Sequence, residues 1–121
     1  MRFTIKNYTV AITQILERKK KHVDQNDEAR ARTQGEILAI EDLLRILPTL
    51  KTKAQVKEAL VGEIHRLRDK NPKFTRLDGW NQVNGHGIEK NLDYGHWQFL
   101  AILADVDSLI MFSTPTTSST P

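Results

Sequence analysis

A chain of 121 residues with a net charge of +3 and no cysteine is sized for one domain with its own core. The missing thiols exclude disulfides, thiol catalysis and thiolate metal sites. The charge is too small to argue for nucleic acid by itself, and it is uneven: residues 1–70 carry 15 Lys/Arg against 10 Asp/Glu, and residues 71–121 carry 3 against 5.

Arg2-Phe3-Thr4-Ile5-Lys6 alternates polar and apolar, which fits a short strand or a lead-in. It has no apolar core of signal-peptide length, so a cytoplasmic location is expected. Asn7 is a candidate N-cap. Tyr8, Ile12, Ile15, Lys19 and Val23 then recur at helical spacing, with Ala11 and Leu16 widening the stripe. The densest basic cluster, Arg18-Lys19-Lys20-Lys21 with His22, closes this helix. Such a cluster can attract phosphates or an acidic partner, but successive residues point about 100° apart and form no stripe, so the expectation is a solvated helix end whose cations offset the macrodipole. No aromatic residues interleave with it, which argues against specific nucleic-acid binding.

At Asp24-Gln25-Asn26-Asp27 the apolar signal stops, as a tight turn or as a polar stretch inside one long helix. Asp27 is a candidate cap for a second helix. A second stripe, Thr33, Ile37, Ile40, Leu44 and Leu47, has coiled-coil-like spacing, and Leu38 and Leu43 broaden it. Pro48 ends it. Thr52-Lys53-Ala54-Gln55 has the form of a capping box. The third helix carries Val56, Leu60, Ile64 and Leu67 on one face, with Ala59 and Gly62 as a small-residue patch open to a close neighbour. Asn71-Pro72 stops it.

The character of the chain changes here. The stretch from Phe74 to Trp97 holds both tryptophans, two of the four histidines and four of the six glycines. Asn84-Gly85 is a hairpin signal between residues 80–83 and Ile88-Glu89-Lys90, and Asn91 or Asp93 is a candidate cap for the last element. From Trp97 to Phe112, 12 of 16 residues are apolar. The Leu, Ala and Met content favours one buried helix. The alternative is a hairpin with strands 96–104 and 108–112, turning at Asp105-Val106-Asp107. Two aspartates in so short a run exclude a bilayer span. Residues 113–121 are Ser, Thr and Pro only, the composition of a disordered tail.

The fold class predicted is mostly α. Antiparallel amphipathic helices form a scaffold over residues 1–112, completed by a turn-rich segment and a buried C-terminal helix. Several apolar stripes suggest a homo-oligomer, a dimer or higher, with Ile37, Ile40, Leu44 and Leu47 as its seam.

The candidate ligand-binding residues are Arg76, Trp80, Asn81, Asn84, His86, Lys90, Tyr94 and Trp97. They combine flat rings with guanidinium, ammonium, amide and imidazole donors, the parts that hold a planar anion. Gly85-His86-Gly87 offers backbone N–H groups to an oxyanion if they converge. No phosphate-loop motif is present and no nucleophile has a base beside it, so no enzyme and no cofactor is expected. The functional expectation is a non-enzymatic oligomeric protein that captures a small anionic, nucleotide-like ligand and sequesters it. The alternative is a helical protein-interaction module, an adaptor or inhibitor. A third class, a metal-dependent hydrolase, would draw on His86, Glu89, Asp93 and His96, whose spacing matches no standard ligand pattern.

Overall fold

The computed structural model describes residues 2–72, 74 and 85–112. They form five helices and, among the described residues, no strand: α1 (Ile5–Lys21), α2 (Asp27–Ile46), α3 (Lys53–Lys70), α4 (Ile88–Ala104) and α5 (Val106–Phe112). A 3₁₀ turn, Leu47–Thr49, follows α2 and contains Pro48. The mostly helical class expected from the pattern is what the chain adopts.

Helix starts are set by side-chain acceptors. The cap of α1 is Thr4, three residues before the Asn7 expected from the sequence; its hydroxyl accepts from the Asn7 amide at 2.9 Å. Phe3 packs on Tyr8, with ring centroids 6.0 Å apart, which is a hydrophobic staple across the cap. The interruption at 24–27 is a turn, and the cap of α2 is Asn26 in place of Asp27, because Asn26 Oδ1 reaches the Ala29 amide at 2.8 Å. Asp27 and Glu28 then occupy the first turn, where negative charge is favoured. Asp24 fastens the turn, accepting from Thr33 Oγ1 at 3.1 Å and lying 3.2 Å from His22 Nε2. The capping box at Thr52 and Gln55 forms as predicted.

Ile88–Lys90, expected as the second arm of a hairpin at Asn84-Gly85, are instead the first turn of α4, and residues 80–84 of the expected first arm and turn lie outside the described residues. Neither Asn91 nor Asp93 caps that helix; Gly87 does. The apolar terminal run is helical, but it breaks at Asp105 (φ −84°, ψ 66°) into α4 and α5. The position read as a possible hairpin turn is thus a helix-to-helix break. Residues 113–121, expected as a tail, lie outside the described residues.

Contacts along the chain give the topology. Glu28 meets Gly85 and Gly87 near the start of α4, and Leu43 shares a hollow with Leu100 farther along both helices. So α2 and α4 run parallel, and α3, between them in sequence, returns. Lys53 pairs with Asp107 and Lys70 with Asp93, which sets α3 antiparallel to the 88–112 arm. α1 lies antiparallel to α4: Tyr8 donates its hydroxyl to the Leu103 carbonyl at 2.7 Å, while Lys19 stands over Phe99.

The most extensive contact is between α2 and α4. Two glycines make it possible. A Cβ on Gly35 would stand 2.0 Å from the Leu92 carbonyl oxygen, and one on Gly95 would stand 2.0 Å from the Arg32 carbonyl oxygen. Only residues without a side chain let the two backbones approach so closely. Ala31 and Ala39, one turn to either side of Gly35, are also buried. By contrast, a Cβ added to Gly62 would meet no atom within 4 Å, so the expected close approach at Ala59 and Gly62 is not made at the glycine.

The core is formed by Tyr8, Ile12 and Leu16 of α1, Ile37, Ile40, Leu43 and Leu47, Val56, Leu60 and Leu67 of α3, and Leu100, Leu103, Val106 and Ile110 of the C-terminal arm. This corrects the oligomer seam: Ile37, Ile40 and Leu47 are buried within the chain, and Leu44 packs against the same cluster. The stripe that argued for an oligomer already has its partners inside one subunit. Val23, at the end of the first stripe, is 86% exposed because α1 stops at Lys21.

Candidate functional site

Four of the residues expected to bind a ligand, Arg76, Trp80, Asn81 and Asn84, lie outside the described residues. The other four are His86, Lys90, Tyr94 and Trp97. Tyr94 and Trp97 are 3% and 8% exposed. With Phe74 they form a three-ring cluster with centroids 5.3 to 5.7 Å apart, and the Arg32 guanidinium caps the Tyr94 face at 4.5 Å. Those rings anchor the core and offer no open stacking surface. Lys90 donates to Asn71 Oδ1 at 2.7 Å. Asn71 is itself buried beside Asp93, which also takes Lys70 at 3.1 Å.

The backbone N–H groups around His86 do converge, on the protein's own carboxylate. Gly85 (φ 96°) and Gly87 (φ 90°) sit in the left-handed region. The Gly85 amide donates to Glu28 Oε1 at 3.1 Å, and the Gly87 amide donates to Oε2. The Gly87 and Gly85 bonds hold the Glu28 carboxyl below its ordinary range. Glu28 belongs to the first turn of α2 and reaches the start of α4. One carboxylate therefore serves the positive ends of two parallel helix dipoles.

His86, Glu89, Asp93 and His96 do not gather as a ligand set; among the described residues no group of three His, Asp or Glu could hold a metal ion. His96 instead lines a half-open, mostly apolar hollow of about 210 Å³ with Ala39, Leu43, Ala59, Leu60 and Leu100. Its Nε2 lies 4.0 Å from Asp42 Oδ2. Burial pushes its pKa down, against the opposing pull of Asp42 and Glu63.

The larger openings lie elsewhere, beside the last turn of α1. The basic cluster there is only partly a solvated end: Arg18, Lys20 and Lys21 are exposed, but Lys19 turns inward. Its ammonium pairs with Glu36 at 2.6 Å and stands 4.7 Å from the Phe99 ring centre. On one side of Lys19 is a hollow of about 470 Å³ walled by Ile15, Phe99 and Ile102, with Arg18, His22, Thr33 and Glu36 at its edge. On the other is a hollow of about 450 Å³ walled by Lys20, His22, Asp24, Arg30, Gln34 and Glu41. Lys19, His22 and Thr33 belong to both, so the two are lobes of one trough.

Sequence reasoning misses Thr33, Phe99 and Ile102 as trough residues. Phe99 and Ile102 stand in a run too apolar to reveal which face stays open, and Thr33 reads as part of a core stripe. Arg18 to His22 stand out as a basic cluster, and the only further signal is the break at residues 24–27, which folds α2 back alongside them. No family model matches the chain, and no curated protein or solved structure does either. Among the described residues, no helix is long and apolar enough to cross a membrane.

Proposed function

We propose that this protein is a non-enzymatic binding protein that captures a small anionic, nucleotide-like ligand, and that the trough beside the last turn of α1 is where it does so. One observation carries the reading: Ile15, Phe99 and Ile102 line one hollow together with the cations of Arg18 and Lys19, the imidazole of His22 and the hydroxyl of Thr33, and its one carboxylate, Glu36, is already paired with Lys19. Small-molecule sites are concave, largely apolar and set with a few convergent polar groups. Each lobe lies in the size range of such sites, roughly 300 to 1,000 Å³. Arg18 has no ion-pair partner among the described residues, and its guanidinium suits forked recognition of a phosphate or carboxylate.

The corresponding role is sequestration: the ligand is held and not converted. Thermal-shift and calorimetric titration against mononucleotides, with pyrophosphate as a simple anion, tests it. Saturable binding that Arg18→Gln weakens tenfold or more is expected, with the free protein folded and only slightly less stable for the loss of one cation from the last turn of α1. Absence of binding at millimolar ligand would sink the reading and favour the helical protein-interaction module. Light scattering in the same buffer gives the assembly state, which no longer has the buried stripe as its argument.

A further inference from the structure

The two lobes of the trough differ in chemistry, and the difference selects a ligand. The first has Ile15, Phe99 and Ile102 in its walls. Beside the residues the lobes share, it also has Arg18 and Glu36, whereas the second has Lys20, Asp24, Arg30, Gln34 and Glu41 with only Val23 and Ile37 as apolar lining. The first lobe is the more apolar and the second the more charged, so a ligand that fills both needs an apolar part and a charged part joined end to end. Resting on the binding reading above, we infer that the trough takes a nucleoside carrying two or three phosphates. Its base and sugar lie against the half-buried Ile15 and the exposed Ile102, with the buried Phe99 ring behind them, and its phosphates lie beside Lys20, His22 and Arg30.

The ion pairs of the free protein decide which cations are available. Lys19 and Glu36 keep only 24% and 18% of their side chains exposed. That pair is shielded and stands as the divider. Lys20 and Glu41, 3.4 Å apart, are 51% and 43% exposed. Arg30 and Asp27, 3.1 Å apart, are 61% and 74% exposed. Exposed pairs of this kind hold weakly. A phosphate chain of several charges displaces single carboxylates from them, and it gains charge-assisted hydrogen bonds in the exchange. The acids of the second lobe, Asp24 and Glu41, then count against binding, so the phosphates alone are poor ligands and the apolar lobe must contribute.

Calorimetric titration of the full chain with ATP, GTP, CTP and UTP, with inorganic tripolyphosphate and with adenosine, at one fixed salt concentration, tests this. At least one triphosphate nucleotide should bind tenfold or more tightly than either tripolyphosphate or adenosine. Ile102 is 43% exposed, so Ile102→Ser should fold; it should erase that margin and leave tripolyphosphate binding as it was. Lys20→Glu should weaken nucleotide and tripolyphosphate alike by tenfold or more. Nucleotides that bind no better than tripolyphosphate, or a margin that survives Ile102→Ser, would overturn the two-part ligand while leaving the anion-binding reading in place. No binding by any of the probes would overturn both.

Discussion

Three glycines that look alike in the sequence separate sharply once their neighbours are known. At Gly35 and Gly95 an added methyl would meet a backbone carbonyl of the facing helix at 2.0 Å. A backbone cannot step aside as a side-chain tip can, so the helices must part. Overpacking costs about 1–3 kcal/mol, and here it exceeds the gain of about 1 kcal/mol from replacing helical glycine with alanine. Gly35→Ala and Gly95→Ala are each expected to lower the urea midpoint, by the equivalent of about 2 kcal/mol or more. Gly62 lies exposed within α3, with nothing near it. There the same change should raise stability by about 0.5–1 kcal/mol. A denaturation series of the three variants checks the signs. The sequence holds a clue to the close crossing, Ala31, Gly35 and Ala39 at four-residue intervals, but small residues at that spacing do not say which helix they face. Ala59 and Gly62 have the same composition and no neighbour at the glycine.

Glu28 gives a second test at this scale. Its carboxyl is held below the ordinary range by the Gly87 and Gly85 amides. A depressed folded pKa contributes stability that is present above the unfolded value and lost as pH falls through the folded one. Glu28→Gln should therefore narrow the acid-induced loss of stability, and at neutral pH it should speed amide exchange at residues 85–91. Carbon-detected NMR titration of the Glu28 carboxyl should find its midpoint below the ordinary glutamate range. An ordinary midpoint would remove the clasp. The nest itself is legible from Gly85-His86-Gly87, but its occupant is not, since Glu28 lies 57 residues from Gly85 in the chain.

Elements are easier to read than their ends. Periodicity gives α1, α2 and α3 and the faces they bury, because burying a stripe is what stabilises an amphipathic helix. The caps of α1 and α2 stand three residues and one residue before those expected, because several of Thr4, Asn7, Asn26 and Asp27 have the right side chain and only local geometry selects among them. The terminal run is opaque for another reason. When nearly every residue is apolar, periodicity carries no information, and the break at Asp105 shows only in the backbone. Tyr8 ties the two ends of the chain together at this scale. Its hydroxyl satisfies the Leu103 carbonyl, one of the last carbonyls of α4, which lack partners within the helix. Tyr8→Phe leaves the ring packing intact and that buried carbonyl unsatisfied, at an expected cost of about 1–3 kcal/mol. Thr52→Ala, which removes the capping box of α3, should cost about 1 kcal/mol. Urea titrations of the two variants, followed by circular dichroism, measure both.

At the scale of the whole molecule, stability should depend on pH through His96. It is faced by Asp42 and Arg45 of α2, Glu63 and Arg66 of α3, and Asp93 of its own helix. Burial outweighs the three carboxylates, and its pKa falls below the ordinary 6.5. The unfolded chain then takes up a proton first. The contribution of His96 is present above about pH 6.5 and is lost as pH falls from there toward the folded pKa. Urea midpoints measured from pH 7.5 to 5 should decline in the natural protein and decline less in His96→Gln; equal slopes would show that His96 titrates normally. The trough, like this hollow, is a property of three helices at once, and for that reason the sequence alone does not point to it.

The crossing at Gly35 and Gly95 also determines where the molecule yields. Two backbones that touch through their carbonyls cannot slide past each other, and no change of rotamer loosens them. The wall of the trough formed by α2 and α4 is therefore stiff. The opposite wall, α1, meets α2 through longer side chains, with no such backbone crossing, and its other end is seated by Tyr8, Ile12 and Leu16 in the core. On the binding reading, a ligand that fits imperfectly is expected to shift α1 before it parts the α2–α4 pair. The mechanical compliance of the site then resides in a single helix, and stiffening α1 would trade breadth of recognition for tightness.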